Sequence, residues 1–183
     1  MTLMVERVAL LLLLPIFTGY KLRLLSFRGV AESLSLVPGM PGMFLRRAWY
    51  VRTLASCGTN LSVALGAVIH TPEARIGNNN HFGSYTWVGV IATGDDVITC
   101  SHAELLSGRA QYGMGTDRPM RLQHQGPQRI VIGDDVWIGG GAKVSAHAAS
   151  GCVVALGAVV VSNQDRPGMI LGGVPARALR DRE

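Results

Sequence analysis

Five histidines, His70, His81, His102, His124 and His147, are the residues of this chain best suited to proton transfer near neutral pH. An imidazole can act as a general base, and three converging imidazoles can hold zinc. His81 and His102 find no third partner at a suitable spacing, so no metal site is expected. Cys57, Cys100 and Cys152 form neither a CxxC pair nor a Cys/His cluster. They read as reduced thiols of a cytoplasmic protein, two of them in buried positions where Cys behaves as a small hydrophobe. Nothing places a nucleophilic Ser or Cys beside a base. The stretch of greatest chemical interest is SGRAQYGMGTDRPMRLQHQG, Ser107 to Gly126. It interrupts a repetitive Gly- and Val-rich chain, and loops of this length inside a domain are usually functional or disordered. It carries arginines, Tyr112 and His124, and His102 lies just ahead of it.

The elements that must position these residues come from a period of six. From Ile132 the chain reads IGDDVW, IGGGAK, VSAHAA, SGCVVA, LGAVVV, with Ile132, Ile138, Val144, Ser150 and Leu156 in the first position. Small residues hold the fifth position, and Gly holds most of the second. Each six residues make one short strand and a corner, and three strands close a triangular coil of about 18 residues. First-position side chains then stack inward while Gly relieves the turn. A noisier run has first positions at Ile76, Phe82, Val88, Thr93 and Thr99, with one short repeat. Together with CGTNLSVALGAVIHTPEA, the pattern predicts roughly four coils of a left-handed parallel β-helix, with the usual strand spacing of about 4.8 Å between coils. The expected organisation is an N-terminal helical, basic segment over 1–56 and a β-helix over 57–176. The extruded loop covers 106–129, and a short C-terminal tail covers 177–183. The open coil ends need covers, which the N-terminal segment and the tail can supply.

Charge and hydropathy single out the N-terminus. Of the 17 Lys and Arg and 12 Asp and Glu, residues 1–56 hold seven basic and two acidic, so the whole excess of +5 sits there. An anionic surface or ligand near this end is one reading, and a solvated basic face is the other. VALLLLLPIF, Val8–Phe17, is too short for a spanning helix, which needs about 20 apolar residues, and Pro15 is expected to break it. With Lys21, Arg23 and Arg28 just beyond, it reads as an amphipathic helix either packed on the domain or lying on a membrane. Nucleic-acid binding is excluded, because the basic excess is small and lacks interleaved aromatics.

The motif IVIGDDVWIGGGAKV, followed by GAVVVSNQDRPGMILGGVPARALR, resembles the C-terminal half of the hexapeptide-repeat acyltransferases. The GGVPAR ending, Gly172–Arg177, is typical of the branch that O-acetylates sugars and polysaccharides. VPGMPGMFLRRAWYVRTLASCGTN resembles the helical lead-in of membrane-associated and cell-surface-polysaccharide members. The resemblance spans about 37 to 182. It implies a homotrimer that uses acetyl-CoA, or another acyl-CoA, to acylate a hydroxyl of a sugar, glycan precursor or glycosylated small molecule, without a metal. It also implies a cytoplasmic protein, with peripheral contact at the inner face of a membrane through residues 1–50 as an option. The pantetheine arm would pass Gly140, Ala142, Gly157 and Ala158, and Arg177 and Arg180 would meet the phosphates, unless they are simply a solvated tail. Asn163-Gln164-Asp165 stands where relatives carry Thr-Lys-Asp, so a phosphate-facing Lys is absent.

The resemblance also assigns the loop. The family's general base is a His in it, set in Gly-Gly-x-His and followed by a Pro and Gln-Gly. Gly108-Arg109, Pro119 and Gln125-Gly126 match, and the slot of the base falls on Ala110. Three explanations stand: a deliberate replacement of His, a naturally inactive relative, or a different base, for which His102 and His124 are the candidates. The competing function is a trimeric β-helix that binds or scaffolds without chemistry. A zinc hydratase on the same scaffold fails for want of a third His.

Overall fold

A computed structural model describes residues 2–108 and 111–182, with side chains from residue 8 onward. Three helices come first: α1 (Thr2–Lys21), α2 (Phe27–Ser35) and α3 (Gly39–Thr53). The first turn of the solenoid holds β1 (Ser56–Cys57), β2 (Ser62–Val63) and β3 (Val68–Ile69). The second holds β4 (Arg75–Ile76), β5 (His81–Phe82) and β6 (Trp87–Val88). The third holds β7 (Ile91–Thr93), β8 (Ile98–Thr99) and β9 (Glu104–Leu105). After 106–129 the fourth turn resumes with β10 (Ile130–Ile132), β11 (Trp137–Ile138) and β12 (Lys143–Val144). The fifth has β13 (Val153–Val154) and β14 (Val159–Val160); β15 (Met169–Gly173) and β16 (Ala176–Asp181) end the chain's regular structure.

These strands stack into three parallel sheets. The first is β1-β4-β7-β10, the third is β3-β6-β9-β12-β14, and the second runs from β2 through β15 with β16 antiparallel at its edge. The result is a left-handed parallel β-helix of about six turns, not the four expected from the hexads. Its interior is a set of aliphatic columns such as Ile69, Val88, Leu105, Val144 and Val160, all buried. Two threonines enter the columns with their hydroxyls satisfied: Gly77 N–H donates to Thr93 Oγ1 (3.2 Å), and Gly83 N–H donates to Thr99 Oγ1 (3.0 Å).

The expected hexad register fails after Val144. Ala148 pairs with Ile132, and Val154 pairs with Ile138, so the inward position steps by four residues there instead of six. Ser150 is half-buried and Leu156 is 77% exposed, neither in the core column. In SGCVVALGAVVV the fifth positions, Val154 and Val160, are aliphatic while the first positions are Ser150 and Leu156, and the frame that pairs with the preceding turn prevails. Most such irregularities fall at the corner between the third and first faces: Ile69 to Ile76, Val88 to Thr93, the long excursion after Leu105, and Val144 to Ala148. The step from Gln164 to Leu171 lies instead between the first and second faces of the last turn.

Glycine at the second hexad position also serves a purpose beyond turn strain. A Cβ on Gly139 would lie 2.7 Å from the Leu156 nitrogen of the next turn, so close approach of coils requires glycine there. After the register step, Gly157 instead occupies the left-handed region, at φ +65°.

The helices cover the first turn. Arg46, fully buried, donates from Nε to Val63 O (2.8 Å) and from Nη1 to Leu34 O (2.9 Å) and Val37 O (2.8 Å). One guanidinium thereby closes the C-terminal end of α2 and ties it to β2. Burial lowers its pKa from the ordinary value, and no carboxylate is among its hydrogen-bond partners. Ile69 N–H donates to the Tyr50 hydroxyl (3.1 Å), and Gly66 N–H to Ser35 O (2.8 Å). Pro15 does not end the apolar helix: α1 continues through it to Lys21, and Phe17 stacks on Trp49 at 5.4 Å. At the other end β16 covers the edge of β15, so the residues expected as a loose tail form a strand.

Candidate functional site

The arm between β9 and β10 leaves at the variable corner and is ordered from within. Its two sides pair as a narrow ladder: Gln128 N–H donates to Ser107 O (2.9 Å), Gln125 N–H to Gln111 O (2.8 Å), and Gly113 N–H to Gln123 O (2.8 Å). Gln123, only 6% exposed, pins the tip. Its Nε2 donates to Gly115 O (2.7 Å) and Arg118 O (2.6 Å), and its Oε1 accepts from Gly115 N–H (3.0 Å). Proline at 119 leads into a single 3-10 turn, Met120–Leu122. His124 is exposed and forms an antiparallel bridge with Tyr112, their rings edge-on at 5.3 Å. Ala110, the slot assigned to the base, lies outside the described residues, as does Arg109.

His102 belongs to the body of the solenoid. It sits at the corner between the second and third faces, exposed, with φ +60°. That corner repeats one backbone conformation turn after turn: Gly66, Tyr85, His102, Gly141 and Gly157 all have positive φ. The Tyr85 and His102 rings stack in the same column, with centroids 5.2 Å apart and 12° between planes. Beyond them the column changes character. Gly141 and Gly157 have open space where a Cβ would stand, so the rings give way to a bare backbone shelf. Gly140 is half-buried beside it, whereas Ala142 and Ala158 point into the core and are shielded from any surface ligand. Of the four small residues expected along a pantetheine arm, Gly140 and Gly157 reach the surface, whereas the alanine methyls at the inward corner positions fill the core.

Arg177 and Arg180 lie on β16, opposite Gly172 and Ile170 in the antiparallel register, and both are exposed. Arg177 Nη1 donates to Ala176 O at 3.0 Å. Val174-Pro175 is a cis peptide at the turn between β15 and β16, which brings the GGVPAR motif back on itself.

Several features escaped sequence reasoning. The outward positions of the second face form an apolar stripe, Ile98, Trp137, Val153 and Ile170, paired rung by rung. Ile98 and Trp137 are each 49% exposed. The residue before each inward position would have revealed this stripe. The Trp137 indole N–H donates to Cys100 Sγ at 3.3 Å, which accounts for one half-buried thiol. Cys152 alone of the three cysteines is fully buried, and burial raises the Cys57 thiol pKa to about 11. His147 Nδ1 accepts from Val131 N–H (2.8 Å), and His81 Nδ1 meets Ser62 Oγ (3.1 Å). These two rings are structural. Among the described residues no group of three His, Cys, Asp or Glu is placed to hold a metal ion.

Neither a protein-family model nor a curated protein matches the chain. Solved structures do. A hexapeptide-repeat-containing acetyltransferase of Vibrio cholerae O1 biovar eltor, complexed with acetyl coenzyme A, aligns at 22% identity and a TM-score of 0.61, over 86% of this chain and 87% of that one. AntD, an N-acyltransferase of Bacillus cereus, was solved as a variant with dTDP and coenzyme A. It aligns at 20% identity and a TM-score of 0.57, over 70% of this chain and 73% of that one. At these identities the likeness establishes the hexapeptide-repeat β-helix fold.

Proposed function

We propose that this chain is built on an acyl-CoA-dependent acyltransferase framework, whose acceptor is a hydroxyl of a sugar, glycan precursor or glycosylated small molecule. One observation carries the reading. The solenoid is broken once by a long ordered arm, and the turns that follow expose a shelf free of side chains at Gly141 and Gly157. Such a shelf admits an extended thioester arm, and the ladder of the arm brings Tyr112 and His124 together on one projecting element. The similar folds from Vibrio cholerae and Bacillus cereus hold acetyl coenzyme A and coenzyme A, which supports the donor class. AntD is an N-acyltransferase, so an amino sugar belongs in the acceptor panel beside the hydroxyl acceptors favoured by the GGVPAR resemblance. A homotrimer would cover the apolar stripe of Ile98 and Trp137 and place arm and shelf of neighbouring copies side by side.

In the transfer, the acceptor oxygen attacks the thioester carbonyl. A C–O bond forms, the C–S bond breaks, and the acceptor proton passes to a base while the CoA sulfur leaves and is protonated. The chain's own contribution is orientation: Arg177 and Arg180 suit phosphates, and the shelf suits the pantetheine. The base is the vacancy. With Ala110 in its slot, His102 and His124 remain as the exposed imidazoles that could serve. The same alanine favours a second reading, a trimeric scaffold that keeps the fold without turnover.

The test is calorimetric binding of acetyl-CoA to the chain and to Gly157→Trp, followed by turnover against hydroxyl and amino sugars. Binding that is lost in the variant supports the framework. No binding to the unaltered chain overturns it in favour of the scaffold.

A further inference from the structure

The first helix has two apolar faces, and the fold uses one. Ala9 and Leu13 are buried, and Phe17 and Tyr20 pack on Trp49 of α3. On the opposite side Val8, Leu11, Leu12 and Pro15 are exposed, recurring at the i, i+3, i+4, i+7 spacing of a single helical stripe. Leu11 and Leu12 are 65% and 64% exposed. A helix whose only task was to cover the first coil would carry polar residues there. Leu22 and Leu24, in the turn after the helix, are exposed as well.

Cations lie at the C-terminal end of this helix and along its flank. Lys21 closes α1 and Arg23 follows it, both exposed. Lys21 and Arg52 also line an open cleft of about 330 Å³ between α1 and α3, whose other walls are Leu14, Phe17, Tyr20 and Thr53. The helical segment holds seven basic and two acidic residues, and among those whose side chains are described Arg46 is the one cation wholly withdrawn into the interior. An apolar stripe with basic groups at its end and flank matches the interface of an anionic bilayer. Leucines enter the acyl boundary, and Lys and Arg remain level with the phosphates. No helix among the described residues is long and apolar enough to cross a membrane, so the contact is in-plane.

We propose that the outer face of α1 docks the protein on an anionic lipid surface, with Leu11 and Leu12 inserted and Lys21 and Arg52 against headgroup phosphates. The inference is independent of the acyl-transfer reading.

The test is co-flotation of the full chain with phosphatidylcholine vesicles, with and without phosphatidylglycerol, alongside the Leu11→Ser/Leu12→Ser variant. Light scattering and thermal melting are run on both proteins. The expected result is binding to the anionic vesicles alone, weakened roughly tenfold or more in the variant and by added salt, at unchanged melting temperature and mass. The proposal is overturned if the chain ignores anionic vesicles, binds neutral ones equally, or floats equally well as the variant. A variant that lowers the mass of the assembly instead would identify the face as a contact between copies, which also overturns it.

Discussion

His70 and His81 face opposite demands from the two states of the chain. His70 lies 4.1 Å from the Trp87 ring with its Nδ1 buried and unpartnered, and His81 leans on Ser62. Desolvation lowers the pKa of both from the ordinary 6.5; for His70 the Arg28 charge adds to this and Glu32 opposes it. The folded state therefore prefers neutral imidazoles, while the unfolded chain takes up protons first as pH falls. Their contribution is full above about 6.5 and declines as pH drops through that value towards the lower folded pKa. Asp95, held below its ordinary 3.8 by hydrogen bonds from the Asn78 backbone and side chain, acts only in more acidic solution. Melting temperature is accordingly expected to fall between pH 7.5 and pH 5.5. A His70→Gln/His81→Gln chain should fall less over the same interval, and equal losses would refute the assignment. At this scale the sequence was informative about type but not about place. All five histidines were visible, yet nothing in the hexads showed that His147 accepts from a neighbouring turn or that His102 stacks on Tyr85. Both contacts join residues well over a dozen positions apart.

At the scale of elements, the cover over the first turn depends on one side chain. Arg46 satisfies carbonyls of α2, of the α2–α3 connection and of β2 from a fully buried position. Arg46→Met keeps the apolar stem but leaves the Val63 and Val37 carbonyls unmet, at about 1–3 kcal/mol for each, while Leu34 O keeps the Val37 N–H. The expected loss is roughly 2 kcal/mol or more, measured by urea denaturation, and Arg46→Lys should restore only part of it. A loss below about 1 kcal/mol would show that water replaces the guanidinium. The hexads made the strands readable because inward aliphatics repeat every six residues over most of the chain. They misplaced Ser150 and Leu156 because a closing turn selects its frame by pairing with the turn beneath, which a linear reading cannot see. Pro15 misled for a related reason. Packing of Phe17 and Tyr20 on Trp49 carries α1 past a residue that would end an isolated helix.

At the scale of the whole molecule, the solenoid presents three features: a helical cover with an exposed apolar stripe, a pinned arm at the corner between the third and first faces, and a glycine shelf on the corner between the second and third faces. The architecture was legible in the sequence, since repeats without long-range ambiguity define a quasi-linear fold. The site was legible only as far as the arm and the motif at Gly172–Arg177, because the arrangement of arm, shelf and neighbouring copies is not written in any local pattern. The account turns on the claim that Ala110 occupies the place of a general base. The most direct measurement compares acetyl-CoA turnover on a panel of sugars by the chain and by Ala110→His. A positioned base contributes about 10²–10⁴-fold, so a rate increase of that order is expected on at least one acceptor. Measurable turnover at equal rates in both proteins would contradict the claim and transfer the role of base to His102 or His124.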